Sequence, residues 1–202
     1  TGDDLYREVA ELTEAGPGRE IIVSGCGDGV TTEWIAARTR AAVTGVDPTA
    51  ERIEAAEARA RLRTEPLHLS YQQAPLDDLP HEDAMFDAAI GEPVLASAAD
   101  PERAVAELVR VTKPMGTIVL LQPTWSSEIA TGARELLVER LGLRPHLLVE
   151  WKQMLRDAGV VDIQVQDWTS GGPGSSGRST GTQRAVTEAA VEVSHRLGWG
   201  HR

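Results

Sequence analysis

Two hundred and two residues, 41% hydrophobic and 25% charged, suit one soluble domain with a real core and are too few for two full enzymatic domains. Twenty Lys and Arg against 31 Asp and Glu give a net charge of −11, a surface that repels phosphate backbones and argues against nucleic acid as partner. Cys26 stands alone, which excludes an internal disulfide or a Cys-x-x-Cys centre, and no apolar run approaches the roughly 18 residues of a membrane span.

Taken in chain order, residues 1–19 read as an N-terminal helical segment without a signal-peptide pattern. The chain opens at Thr1 without Met, which leaves a trimmed start open. From there short β-rich runs alternate with longer Ala/Glu/Arg stretches. Strands are expected at Glu20–Ser24, Ala42–Val46, His68–Tyr71, Phe86–Ile90, Thr117–Gln122 and Asp162–Trp168. Helices are expected at 31–40, at 49–63 with Thr49 as cap, at 101–112 from the cap-and-proline start Asp100-Pro101-Glu102, and at 147–158. Such alternation predicts an α/β fold: a Rossmann-like, doubly wound, mostly parallel sheet of six or seven strands with helices on both faces. The core then runs over 20–168. A Gly/Ser-rich loop follows at 169–182, and a C-terminal helix at 183–198 carries the stripe Val186, Ala190, Val193 and Leu197.

The informative segment is Ile21-Ile22-Val23-Ser24-Gly25-Cys26-Gly27-Asp28-Gly29, a buried strand running into Gly-x-Gly-x-Gly and then a helix. Its glycines let a ligand approach bare backbone, and the helix start offers N–H groups to an anion. The second strand ends at Val46-Asp47-Pro48, which places a carboxylate beside the loop, suited to the two hydroxyls of a ribose. The dinucleotide fingerprint needs glycine at its sixth position, where this chain has Val30, so a dehydrogenase is disfavoured.

Gly-x-Gly-x-Gly resembles motif I of class I S-adenosylmethionine-dependent methyltransferases. Further along, Leu79-Pro80, Phe86-Asp87, Asp100-Pro101-Glu102-Arg103-Ala104 and Arg110-Val111-Thr112-Lys113-Pro114-Met115-Gly116 occur in order and look like the "LP…FD" and "DPE.A…E..RVLKPGG" run of that family. The version is similar to the small-molecule methyltransferases of ubiquinone and menaquinone biosynthesis. The resemblance covers about residues 18–124. It implies S-adenosylmethionine as cofactor, with Gly25, Cys26, Gly27 and Gly29 along its methionine part, Asp47 on the ribose and Pro48 against the adenine. Pro75 and Leu76 fall where the family contacts the adenine edge, and Gly91 and Glu92 at the mouth of the pocket.

Four departures stand out. Val23 replaces the usual acid of motif I, and Pro75 replaces an acidic adenine partner, with Asp77 and Asp78 nearby either as substitutes or, the more frequent case, as solvated loop charges. Met115 replaces a turn glycine. The usual closing hairpin is not visible, which leaves the sheet at six or seven strands; a lost strand would expose a sheet edge to be covered by the C-terminal helix or by a second chain, hence a possible homo-oligomer. Among other residues, Trp125 is a pocket wall or core filler, and His146 a base or a loop residue. Cys26 lacks a paired base, and His68, His81, His146, His195 and His201 show no metal-ligand spacing, so no metal is expected. No catalytic residue is assigned, because methyl transfer needs alignment more than an acid or base. The expectation is a cytoplasmic methyltransferase of a small-molecule acceptor, binding neither nucleic acid nor membrane. The alternative is a non-catalytic binding or assembly protein that kept the fold and weakened its cofactor site.

Overall fold

The computed structural model describes residues 2–125, 135, 138–140, 144–166 and 190–191. Helix α1 (Gly2–Leu12) precedes β1 (Glu20–Ser24), α2 (Val30–Thr39), β2 (Ala42–Asp47), α3 (Ala50–Arg61) and β3 (Leu69–Gln73). The chain then crosses back to β4 (Phe86–Gly91), makes a 3₁₀ turn at Pro93–Ser97 and continues through α4 (Pro101–Val111) into β5 (Thr112–Leu121). Short strands β6 (Thr124–Trp125) and β7 (His146–Leu147) pair parallel to each other, α5 (Leu148–Asp157) follows, and β8 is Ala190–Val191.

The main sheet has the order β3-β2-β1-β4-β5-β8, with every pair parallel except β5 and β8. Strand order reverses between β1 and β4, so a crevice opens at their carboxyl ends, the switch point where α/β sheets receive ligands. Registers Ser24↔Val46 and Ser24↔Gly91 bring the ends of β2, β1 and β4 level there.

Side-chain alternation sorts the core into two layers. Ile22, Ala89, Ile118 and Leu120 pack with α4 and α5, chiefly through Val105, Leu108, Trp151 and Leu155. Ile21, Val23, Ala88, Ile90, Val119 and Leu121 pack on the other face with Val9 of α1, Ile35 of α2 and Ile53 of α3. In α4, Ala104, Val105, Leu108 and Val111 form the buried stripe. Leu108 has no exposed surface, so its truncation to Ala would cost about 2–5 kcal/mol. The predicted cap of that helix forms as expected, Asp100 accepting from the Arg103 N–H at 2.9 Å with Pro101 in the first turn.

Two expectations are corrected at the far end. Residues 162–166 of the predicted strand Asp162–Trp168 form no strand; the backbone turns through a left-handed φ of 55° at Asp162, and residues 161 and 162 are exposed. Residues 167–168 lie outside the described residues. The predicted helix 183–198 is contradicted at Ala190–Val191, which pair antiparallel with Leu121 and Leu120. The open edge of β5 offers unpaired backbone groups that a short strand satisfies directly and a helix does not. The rest of that helix, and the 169–182 loop, lie outside the described residues. β5 also starts earlier than expected, taking in Lys113–Gly116 through a register shift opposite Phe86 and Ala88.

Candidate functional site

The turn after β1 is shaped by three left-handed glycines, Gly25 (φ 79°), Gly27 (φ 52°) and Gly29 (φ 77°). Gly25 N–H and Cys26 N–H both donate to the Val46 carbonyl, at 2.7 and 3.0 Å, and Gly29 N–H donates to the Cys26 carbonyl at 3.0 Å. A Cβ on Gly29 would stand 2.6 Å from the Tyr71 hydroxyl, and one on Gly25 would fall against Val94 Cγ1. Both positions therefore demand glycine for space as well as for φ.

Asp47 ends β2 with 1% exposure. Its Oδ2 accepts from Gly27 N–H at 3.0 Å and its Oδ1 from Thr49 N–H at 2.9 Å, so one carboxylate fixes both the glycine loop and the start of α3. Each oxygen keeps a second acceptor site. Cys26 is buried behind the loop. Burial first, then the negative fields of Asp47 and Glu92, push its thiol up to about 12, so it is a packing group and not a nucleophile.

Past β4, Glu92 N–H donates to the Ser24 carbonyl at 2.9 Å, locking this residue beside the end of β1. Burial raises its carboxyl above the ordinary value, against the opposing pull of a hydrogen bond from the Thr31 hydroxyl in the first turn of α2. Its Oε1 is closed to solvent and has no hydrogen-bond partner; Ser24 Oγ and Gln122 Oε1 are in the same condition. These three residues end the adjacent strands β1, β4 and β5 or directly follow them. The Gln122 amide donates to the Gly91 and Glu92 carbonyls at 3.0 and 2.8 Å, tying the ends of β4 and β5 together.

The predicted site residues divide accordingly. Gly25, Cys26, Gly27, Gly29 and Asp47 form one hydrogen-bonded unit, with Gly91 and Glu92 next to it. Leu76 is buried, its Cδ1 3.7 Å from a Cβ placed on Gly25, whereas Pro48 and Pro75 are exposed. Val23 is fully packed in the core and carries no polar function. Asp78 faces Arg103 of α4 at 3.6 Å on the surface, which gives it a role away from the loop. Four residues escaped the sequence reading: Thr31, Arg52, Tyr71 and Gln122. Arg52 Nη1 lies 3.2 Å from a Cβ placed on Gly27. Gln122 carried a visible signal, a polar residue closing the apolar run Ile118–Leu121.

Trp125 is 8% exposed, and its strand pairs with Leu147. His146 sits edge-on to Trp151 at 5.2 Å, with Nδ1 3.5 Å from Glu150 and Nε2 buried without a partner. No group of three or more His, Cys, Asp or Glu able to hold a metal occurs among the described residues.

The later motifs lie at the opposite end of the sheet. Asp87 accepts from Glu20 N–H at 2.8 Å and from Lys113 Nζ at 3.1 Å, with Arg19 at 3.5 Å. Burial pushes its carboxyl up, but these donors outweigh that and hold it below its usual value. Arg110 donates to the Leu79 and His81 carbonyls at 2.9 and 2.7 Å and pairs with Glu107 and Asp83, while Glu107 also accepts from Leu79 N–H at 2.8 Å. The hydrogen bonds from Arg110 hold Glu107 below the ordinary carboxylate range. Motif Glu107…Arg110 is thus a clasp that fastens the segment before β4 to α4.

A family model described as a methyltransferase domain matches residues 22–120. Among curated proteins the chain is similar to the 2-phytyl-1,4-naphtoquinone methyltransferase of Trichormus variabilis, 35% identical over 58% of this chain and 52% of that one. Among solved structures it is similar to the [4+2]-cyclase SpnF (27% identity, TM-score 0.73, 83% of this chain and 60% of that one). It also shares the fold of geranyl diphosphate C-methyltransferase from Streptomyces coelicolor A3(2), solved with S-adenosyl-L-homocysteine (20% identity, TM-score 0.75, 83% and 64%). The chain spans between 35% and 60% of the length of the first curated relatives it matches.

Proposed function

The chain belongs, through residues 22–120, to the class I methyltransferase-domain family, and from that premise we propose that it transfers a methyl group from S-adenosylmethionine to a small-molecule acceptor. One observation carries the reading. At the switch point between β1 and β4, the left-handed glycine loop is bonded to a buried Asp47 and flanked by a Glu92 oxygen that lacks a partner. An adenosyl amino acid fits such a place, because it brings ribose hydroxyls for Asp47 and hydrogen-bond donors for an orphaned acceptor. Leu76 would offer apolar contact to the adenosine, with the exposed Pro48 and Pro75 at the rim.

The cofactor supplies an electrophilic methyl on a sulfonium. What remains for the chain is alignment and exclusion of water, and effective concentration alone accounts for much of such catalysis. Asp47 and the glycine loop set the position of one reactant. We place the acceptor toward Trp125, which is buried and pairs with Leu147 of β7 just past β5. A net charge of −11 disfavours a nucleic acid in that role. Likeness to a naphthoquinone methyltransferase supports a small aromatic acceptor.

Titration calorimetry with S-adenosylmethionine and S-adenosylhomocysteine tests the reading, with NAD as the control. Binding of the adenosyl ligands alone is expected, and no binding at millimolar concentration overturns it. Mass spectrometry of an acceptor panel then reads the gain of one methylene. Binding without turnover of any acceptor would favour the binding-protein alternative, which Val23 in the core and the exposed Pro75 keep in view.

A further inference from the structure

Resting on the cofactor reading above, we propose that Glu92 holds the α-ammonium group of the cofactor's methionine end. Four groups near the loop compare as acceptors for a cation. Val23 is apolar and fully packed, and Cys26 is a buried neutral thiol. Asp47 already spends one lone pair of each oxygen on a backbone N–H, and both of its partners belong to the fold. Asp28 is exposed, where water satisfies it. Glu92 differs from all of these: its backbone is fixed by the Ser24 carbonyl, its Cβ lies 3.5 Å from where a Gly25 Cβ would stand, and its Oε1 is shut off from water with no donor in reach.

A carboxylate oxygen closed to solvent and left unpaired is unfavourable until a donor arrives. The chemistry of the proposed ligand decides which part supplies it. The sulfonium has no N–H or O–H, the ligand's own carboxylate repels Glu92, the ribose hydroxyls go to Asp47, and the adenine amine is neutral, whereas the ammonium carries three N–H donors and the charge a carboxylate favours. Thr31 already donates to the Glu92 carboxylate, which leaves Oε1 for the ligand. Gln122 acts as a positioning residue, since its amide clamps the Gly91 and Glu92 carbonyls and so fixes where the carboxylate stands.

The test uses the full chain, S-adenosylhomocysteine and its deaminated analogue, which differs only in lacking the amino group. Wild-type protein is expected to bind the amino form at least about tenfold more tightly, as a charge-assisted hydrogen bond implies. In Glu92→Gln the preference shrinks to within about threefold, while affinity for the deaminated ligand stays within about threefold of wild type. A merely structural role would weaken both ligands together and leave the ratio intact, which overturns the assignment. The wild-type ratio is read on the unaltered chain, so the test survives a variant that fails to fold: no preference there overturns Glu92 as well. Wild-type protein that binds neither ligand overturns the cofactor reading itself, and this inference with it.

Discussion

The two ends of the sheet treat their polar residues in opposite ways. At the amino end of β4, the motif residues Asp87, Glu107, Arg110 and Lys113 are committed to one another and to backbone groups. At the carboxyl ends of β1, β4 and β5, Ser24, Glu92 and Gln122 each keep a buried atom without a partner. The first end is a joint closed by ion pairs and backbone bonds, with Arg19 Nε and His81 Nε2 its buried atoms left without partners. The other is an arrangement that a ligand would complete, and it carries a stability cost until one does.

Asp47→Ala should break the contrast most severely, because the ligand-facing end there borrows a structural bond. Removing the carboxylate strips acceptors from Gly27 N–H and Thr49 N–H. Chemical denaturation should show a loss of about 2–4 kcal/mol, and calorimetry should show adenosyl-ligand binding gone. Retained affinity would mean that the loop does not depend on this residue.

Arg110→Ala probes the ion-paired joint. The side chain is 31% exposed, so solvent screens part of the interaction, and a loss of about 1–3 kcal/mol is expected from the unpaired Glu107 and the freed carbonyls of Leu79 and His81. Ligand affinity should change by less than about threefold, and a larger change would show that the two ends communicate.

Acid and base titration sharpens the comparison, since the ends carry pKa shifts of opposite sign. Asp87 and Glu107 are lowered in the folded state, so their contribution is present above the unfolded carboxylate value and is lost as pH falls through the folded one. Glu92 is raised, so its contribution is present below the unfolded value and is lost as pH rises through its folded one. Denaturation midpoints of ligand-free Asp87→Asn should fall less steeply in acid than those of wild type. Ligand-free Glu92→Gln should gain on the order of 1 kcal/mol near neutral pH, a stabilisation that follows from removing a buried charge with one oxygen left unpaired. Parallel profiles for all three proteins would remove the contrast.

Met115→Gly is the smallest of these changes. Met115 is half exposed at φ 66°, a conformation that disfavours a side chain. Thermal melts should show a gain of about 1 kcal/mol with ligand affinity unchanged. No gain would mean that the side chain makes contacts that offset the backbone strain.

Much of this contrast was legible in residues, and some was not. The glycine loop, Asp47 and the strand and helix alternation announce themselves because each depends on local chemistry: conformational freedom, a carboxylate at a strand end, a period of apolar side chains. Glu92 could be flagged from its position after β4, but the missing partner of its Oε1 depends on packing that no local pattern encodes. The motif Glu107…Arg110…Lys113 read as one continuous signature, although it serves the clasp and the strand joint, because a sequence does not say which end of a sheet a charge occupies. Ala190–Val191 pairs with β5 through two residues only, too short to show alternation, so the apolar stripe around it read as helix.

Asp47 has a final consequence. The same carboxylate shapes the loop and faces whatever lies on it, so the two equilibria are thermodynamically linked. A ligand that bonds Asp47 would favour the ordered loop by some factor, and ordering of the loop would favour the ligand by that same factor; a substitution that loosens the loop lowers affinity in proportion to the ordered fraction it removes. Backbone hydrogen exchange at Gly27 and Thr49, the two N–H groups held by this side chain, would therefore report occupancy of the site without following any chemistry at it.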